Sequence, residues 1–195
     1  MINKRRLGAL LTACLAMIYI ILLPNIGTLM LFAALAVHEL GHIFAILIVG
    51  ERISDIAVSP FGLSIKRSGR LCSYRLELIV YLSGPMTNIL LALIFSMVKN
   101  NICEAFVEQN LIFGILNMLP IKTLDGGSAL RSVLLMLFSE KVAATAVDLL
   151  SAATVFIIWF CSIWCLLYIG GGLSPFLFSC WLFFSLFLKD VKARP

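Results

Sequence analysis

Apolar residues fall in long runs along most of this chain, with little of the striping that marks a helix wet on one side. The runs are Leu7 to Leu23, Thr28 to Val49, Leu76 to Val98, Ala105 to Leu119, Val142 to Ile169 and Leu173 to Leu188. Short polar or turn-forming connections separate them, among them Pro24-Asn25-Ile26-Gly27, Lys99 to Glu104 and Gly170-Gly171-Gly172. A run of about 20 apolar residues can satisfy its own backbone as one helix across a hydrocarbon layer of about 30 Å. The pattern therefore predicts an all-α polytopic membrane protein with about six transmembrane helices. Ala105 to Leu119 is short for a full span, and Ser128 to Phe138 reads as a further short helix. Residues 50–75 break the pattern: Ile56, Val58, Phe61, Leu63 and Ile65 alternate with Ala57, Ser59, Gly62, Ser64 and Lys66. Period two, interrupted at Ser59-Pro60, predicts a small membrane-associated β-hairpin over 53–66, between helices two and three.

Composition agrees and excludes a soluble domain. The chain has 195 residues, 62% hydrophobic and 13% charged, with a mean hydropathy of +1.07; soluble domains carry roughly a quarter charged residues. The expectation is a single membrane-embedded domain over 1–195, with its core motifs in 30–140 and accessory helices at 7–23, 142–169 and 173–188. A net charge of +5 invites a nucleic-acid reading, but the basic residues sit singly or in small groups between apolar runs. They read as a topology signal, and nucleic acid is not an expected partner. With six helices and a cytoplasmic N-terminus, 14 of the 15 Lys and Arg fall on the cytoplasmic side, leaving Lys99 outside. Lys4-Arg5-Arg6 ahead of Leu7 to Leu23 resembles a signal peptide, but no small-x-small site follows, so an uncleaved first helix is expected. The six cysteines form no C-x-x-C pair; Cys161 and Cys165 read as small buried apolar residues, and no disulfide framework is expected.

Against this background one stretch is chemically out of place. Ala33 to Val49 holds His38-Glu39-Leu40-Gly41-His42, and the chain's two histidines are both here. Positions i and i+4 share a helix face, so His38 and His42 can address one metal ion. Glu39 is placed to act as general base on the attacking water. Ionisable groups in so apolar a run are costly, which points to function. Catalytic zinc takes three protein ligands, so the third must be Asp, Glu or Cys. Asp125 stands out among the acidic residues because it ends an interrupted apolar run and two glycines follow it. It also reads as a helix N-cap, and spacing alone leaves both readings open.

Three motifs occur in order between residues 38 and 127: His38-Glu39-Leu40-Gly41-His42, then Gly84-Pro85-Met86-Thr87-Asn88, then Asn117-Met118-Leu119-Pro120-Ile121-Lys122-Thr123-Leu124-Asp125-Gly126-Gly127. Together they resemble the H-E-x-x-H, G-P-x-x-N and N-x-x-P-x-x-x-L-D-G patterns of the site-2 protease family of intramembrane zinc metalloproteases. The likeness extends over roughly residues 30–140, and the compact form is most similar to the branch containing a bacterial sporulation protease. The resemblance implies a Zn2+ cofactor held by His38, His42 and Asp125, with Glu39 as catalytic base. It also implies a membrane-protein substrate cleaved within or near its transmembrane segment in the lipid bilayer, a cytoplasmic product, and possible membrane-embedded regulators.

Asn117 and Asn88 are candidate substrate-binding residues, able to donate to substrate backbone or oxyanion; hydrogen bonding between packed helices is the other reading of each. The 53–66 hairpin offers an edge to an extended substrate, or plugs the bundle. The expected location is the cell membrane, multi-pass, with the N-terminus and active-site side cytoplasmic. The competing readings are a zinc transporter and a catalytically inactive membrane binding protein.

Overall fold

A computed structural model describes residues 25–50, 53–59, 62–67, 73–170 and 173–192. The expected first helix, 7–23, lies outside the described residues. Among the described residues, three helices are long and apolar enough to cross a membrane: Ile26–Ile48, Tyr74–Phe95 and the continuous stretch Glu140–Tyr168. Their large apolar side chains are turned outward in number, as with Phe44, Leu47, Leu93 and Phe156. An outward apolar face is what a hydrocarbon solvent requires.

The chain divides into two compact units, Met1–Leu116 and Asn117–Pro195, described here separately. In the first, helix α1 (Ile26–Ile48) starts where Asn25 Oδ1 accepts from the Thr28 amide at 2.7 Å. That cap satisfies one of the amides left over at any helix start. Two strands follow, β1 (Ile53–Ser59) and β2 (Gly62–Arg67), paired antiparallel with Ile56 opposite Ile65 and Val58 opposite Leu63. Helix α2 (Tyr74–Phe95) is capped by Ser73 Oγ, which accepts from the Arg75 amide at 3.2 Å. Helix α3 (Asn101–Asn117) begins inside the stretch expected to be a polar turn. The reason is local: Asn100 Oδ1 accepts from the Cys103 amide at 2.8 Å, so the polar residues 100–104 start a helix.

Close approach of α1 and α2 depends on small residues. A Cβ at Gly41 would lie 2.5 Å from Thr87 Oγ1 and 2.9 Å from the Ser83 carbonyl. Without a hydrophobic force between helices in lipid, such contact lets van der Waals packing and hydrogen bonds act. Ala45, Ile46 and Val80 form the apolar cluster at this crossing.

In the second unit, helix α4 is Asp125–Leu137, helix α5 is Glu140–Trp164, and helix α6 is Leu173–Lys192. Helix α4 starts earlier than expected. Its N-cap position is Leu124, so Asp125 is the first residue inside the helix and not its cap. Helix α5 runs on through a π-helical turn, Cys165–Ile169, closed at Gly170 with φ +70. Ile121, Val155, Leu182 and Leu186 form this unit's core. The loop ahead of α4 folds back over the helix's first turn: a Cβ at Gly127 would strike the Ile121 carbonyl, and one at Gly126 the Met118 carbonyl. Ser151 on α5 pins the same loop. Its Oγ accepts from the Lys122 amide at 2.8 Å and donates to the Val147 carbonyl at 2.6 Å. The Lys122 ammonium reaches Asp148 at 3.0 Å.

Ser151 is fully buried, so Ser151→Ala leaves the Lys122 amide without that acceptor. The expected cost is about 1–3 kcal/mol, measured as a loss of stability on reversible unfolding in mixed micelles. An unchanged midpoint would mean the loop holds without this bond.

Candidate metal centre

His38 and His42 stand one turn apart on the face of α1 that meets α2, and both are buried. Their rings are edge to face, with centroids 4.7 Å apart. What matters chemically is which nitrogen of each ring carries the proton, and the partners decide it. His42 Nδ1 lies 2.8 Å from the Val80 carbonyl oxygen. A carbonyl only accepts, so Nδ1 is the N–H donor and Nε2 holds the lone pair.

His38 reaches the same tautomer through a side chain. Its Nδ1 lies 3.0 Å from Asn88 Oδ1. The Asn88 amide cannot turn round, because its Nδ2 donates to the Ala34 carbonyl and to Asn110 Oδ1, each at 2.9 Å. Asn88 therefore presents oxygen to His38, whose Nδ1 must donate, and the His38 lone pair also sits on Nε2.

The two Nε2 atoms face each other at 3.2 Å. With both Nδ1 atoms as donors, the lone pairs of two neutral rings face one another across this gap. Two lone pairs aimed at one small region favour a cation there. Zinc–nitrogen bonds of about 2.0–2.1 Å in a tetrahedron put neighbouring nitrogens roughly 3.3 Å apart. The pair thus fits zinc on geometry, and the Nδ1 bonds are the outer contacts that orient metal-binding histidines.

Gly84 on α2 faces the pair. A Cβ there would strike His42 Nε2, and would lie 2.7 Å from His42 Cε1 and 2.9 Å from His38 Cε1. Pro85 follows, and without an amide hydrogen it removes a rung from the α2 ladder. One turn ahead of this break, the Val80 carbonyl accepts from both His42 Nδ1 and Ser83 Oγ. Phe113 on α3 lays its ring edge to face on His38, centroids 5.1 Å apart, and forms an apolar wall.

Of the residues expected at the site, the first unit brings together His38, His42 and Asn88, with Glu39 buried beside them on α1. The contacts of Asn88 are those of its other reading. It is 0% exposed and its amide is engaged at both ends, so it bonds α2 to α1 and α3 and orients His38. Asn117 is the last residue of α3 and opens the second unit; Asp125 is the first residue of α4. Sequence reasoning missed Val80, whose contribution is a backbone carbonyl with no side-chain signature. It also left Gly84 without a role of its own and passed over Asn110, which the adjacent Glu108 and Gln109 make inconspicuous.

Comparison with known proteins bears on a chain with this kind of centre, a histidine pair prepared for a metal inside apolar helices. The family model for peptidase family M50 matches residues 100–161. Stage IV sporulation protein FB of Bacillus subtilis is 30% identical over 114 residues, covering 54% of this chain and 38% of that protein. The putative zinc metalloprotease Rip3 of Mycobacterium tuberculosis is 25% identical over 130 residues, 60% of this chain and 33% of that one. The chain thus matches well under half the length of these relatives. The site-2 protease from Methanocaldococcus jannaschii has the same fold, with a TM-score of 0.65 at 18% identity, over 97% of this chain and 89% of that one. With its three motifs, the chain is similar to the site-2 proteases and to these zinc-metalloprotease relatives.

Gly84→Ala places a methyl group against the two imidazoles. Zinc affinity of the purified protein, measured by chelator competition, should fall at least about tenfold while helical content by circular dichroism stays native. Native affinity would show that the imidazoles do not need this space.

Proposed function

We propose that the chain is an intramembrane zinc metalloendopeptidase that cleaves a membrane-bound protein within or near its transmembrane segment. The observation that carries this reading is the histidine pair: both Nδ1 atoms committed as donors, both Nε2 atoms 3.2 Å apart, and Glu39 next in sequence. His38, His42 and Asp125 supply the ligands. Two imidazoles and a carboxylate are a donor set of the kind that holds zinc, and three protein ligands leave a coordination position open, as in catalytic zinc sites. Support for Asp125 comes from the L-D-G motif and from its place inside the first turn of α4, where Leu124 holds the cap position.

Bound zinc would supply a water acidified toward a pKa of about 7, and a Lewis acid for the scissile carbonyl. Glu39 accepts the proton of the attacking water and returns it to the leaving amine. Val80 and Asn88 hold the imidazoles in the tautomer whose Nε2 lone pairs face the metal position. Asn117 donates to the substrate backbone or to the developing oxyanion. Phe113 and the apolar outer faces keep bulk water from the buried pair, which strengthens these charge interactions.

The strand pair β1–β2 would offer an outer edge to which an unwound substrate can add by main-chain hydrogen bonds. We take it to lie against the membrane between the second and third of six spans, counting the expected helix at 7–23. The excess of Lys and Arg in 50–75 and 120–141 puts the site toward the cytoplasm. The product would then leave on that side, where a transcription or sigma factor would act. Membrane-embedded regulators would act on substrate access.

Two variants test the reading, with a single-pass or hairpin membrane substrate co-expressed. Glu39→Gln should keep its zinc and lose cleavage by about 10²-fold or more; persistent cleavage would reject Glu39 as base. Asp125→Asn should weaken zinc binding and lose cleavage together. Native activity in Asp125→Asn would return that residue to a helix-start role.

A further inference from the structure

The geometry points to Asn110 as a positioning residue for the metal centre, acting through Asn88 on the proton of His38. The inference rests on the metal-centre reading and extends it to a residue that touches no proposed ligand.

Asn110 sits near the middle of α3, directly after Glu108 and Gln109 and before Leu111 to Phe113, and is 0% exposed. Its Nδ2 donates to the Phe106 carbonyl one turn back, at 2.8 Å. Because that carbonyl only accepts, the Asn110 amide has one orientation, with Oδ1 toward Asn88. There Oδ1 accepts from Asn88 Nδ2 at 2.9 Å. The second hydrogen of Asn88 Nδ2 goes to the Ala34 carbonyl at 2.9 Å. Both hydrogens of Asn88 are thus held by acceptors, its oxygen is left for His38 Nδ1 at 3.0 Å, and the His38 lone pair is on Nε2.

The chain of bonds has a direction, set by a backbone carbonyl at each anchor. Reversing it has a chemical consequence. With Asn88 turned round, Nδ2 would face His38 Nδ1, which would have to accept. The ring proton would then move to Nε2, against His42 Nε2 and in the place of the metal. Two acceptors oppose that turn, the Ala34 carbonyl and Asn110 Oδ1. Asn110 is one of the two locks, and it is the one a side-chain substitution can remove. A bond that only glued helices together would not need a defined polarity; this one transmits it from α3 through α2 to α1. The helices are close enough for this because Gly114, one turn past Asn110, has Asn88 Cβ and the Pro85 carbonyl both 3.2 Å from where its own Cβ would stand.

The test uses the full chain in detergent. Asn110→Leu keeps the volume and removes the amide; Asn110→Asp keeps an acceptor oxygen toward Asn88. Three quantities are read: zinc affinity by chelator competition, the visible absorption of the cobalt(II)-loaded protein, and the melting temperature without metal. Asn110→Leu should lose about tenfold in zinc affinity and shift the cobalt(II) bands, while Asn110→Asp stays within about threefold of native affinity. Asn110→Ser, too short to reach Asn88, carries the same expectation as Leu and covers a Leu variant that does not fold. Native zinc affinity with a native cobalt(II) spectrum in Asn110→Leu or Asn110→Ser would overturn the inference, whatever the melting temperature does. So would an Asp variant weakened as far as Leu, because packing would then be the whole role. A native protein that binds no zinc would instead sink the metal-centre reading itself, which separates the two failures.

Discussion

A carbonyl oxygen can accept a hydrogen bond and cannot give one, and the centre of this protein depends on that asymmetry. In an apolar interior each polar hydrogen must find an acceptor, since leaving one without costs about 1–3 kcal/mol. Three backbone carbonyls, of Ala34, Val80 and Phe106, receive the donors around the histidine pair. Once those are spent, the imidazole protons have one arrangement left, and the nitrogens that remain are the two facing each other. The metal-binding form of the site is therefore written into the first unit's backbone.

The same requirement explains the small residues nearby. Bonds from α1 to the α2 backbone need the helices closer than ordinary side chains allow, and Gly41 and Gly84 supply the room on either side of the crossing. Packing and chemistry are not separable here. Gly84 thins the wall of α2 where the imidazoles lie, and the neighbouring Pro85 interrupts the ladder close to the carbonyl that holds His42. The second unit solves a matching problem with other means. Its loop ahead of Asp125 is fixed by Ser151 and by contact with glycines, so a segment with little regular structure presents a defined start to α4.

Legibility in the sequence followed chemical oddity. His38, Glu39 and His42 stand out because titratable groups are rare in apolar runs, Asp125 because it ends such a run ahead of two glycines, and the long helices by length and hydropathy alone. What stayed hidden was either backbone or direction. Val80 looks like any core valine; its carbonyl acts, and a sequence has no letter for that. Asn88 was visible as polar, but its neighbours at positions 34 and 110 decide whether it meets a substrate or a histidine, and only the fold supplies them. Helix starts differ for a similar reason: the Asn100 side chain caps α3 and draws the residues after it into the helix, while α4 begins at Asp125 with no side-chain cap at Leu124.

The continuous helix Glu140–Tyr168 has 29 residues, about 43 Å at 1.5 Å per residue. That exceeds a hydrocarbon thickness of about 30 Å. The helix must lean, or stand clear of the hydrocarbon at its ends. Its ends suit the second course: Glu140 pairs with Arg131 at 3.0 Å at one end, while Trp164 stacks on Tyr168 at 4.3 Å at the other. Charges favour water, and amphipathic rings favour the headgroup layer. The widened π turn falls in the aromatic end, where polar headgroups can bond any carbonyl it releases. Such ends would set the depth of this helix in a bilayer, and Ser151 ties the loop leading to Asp125 to the same helix.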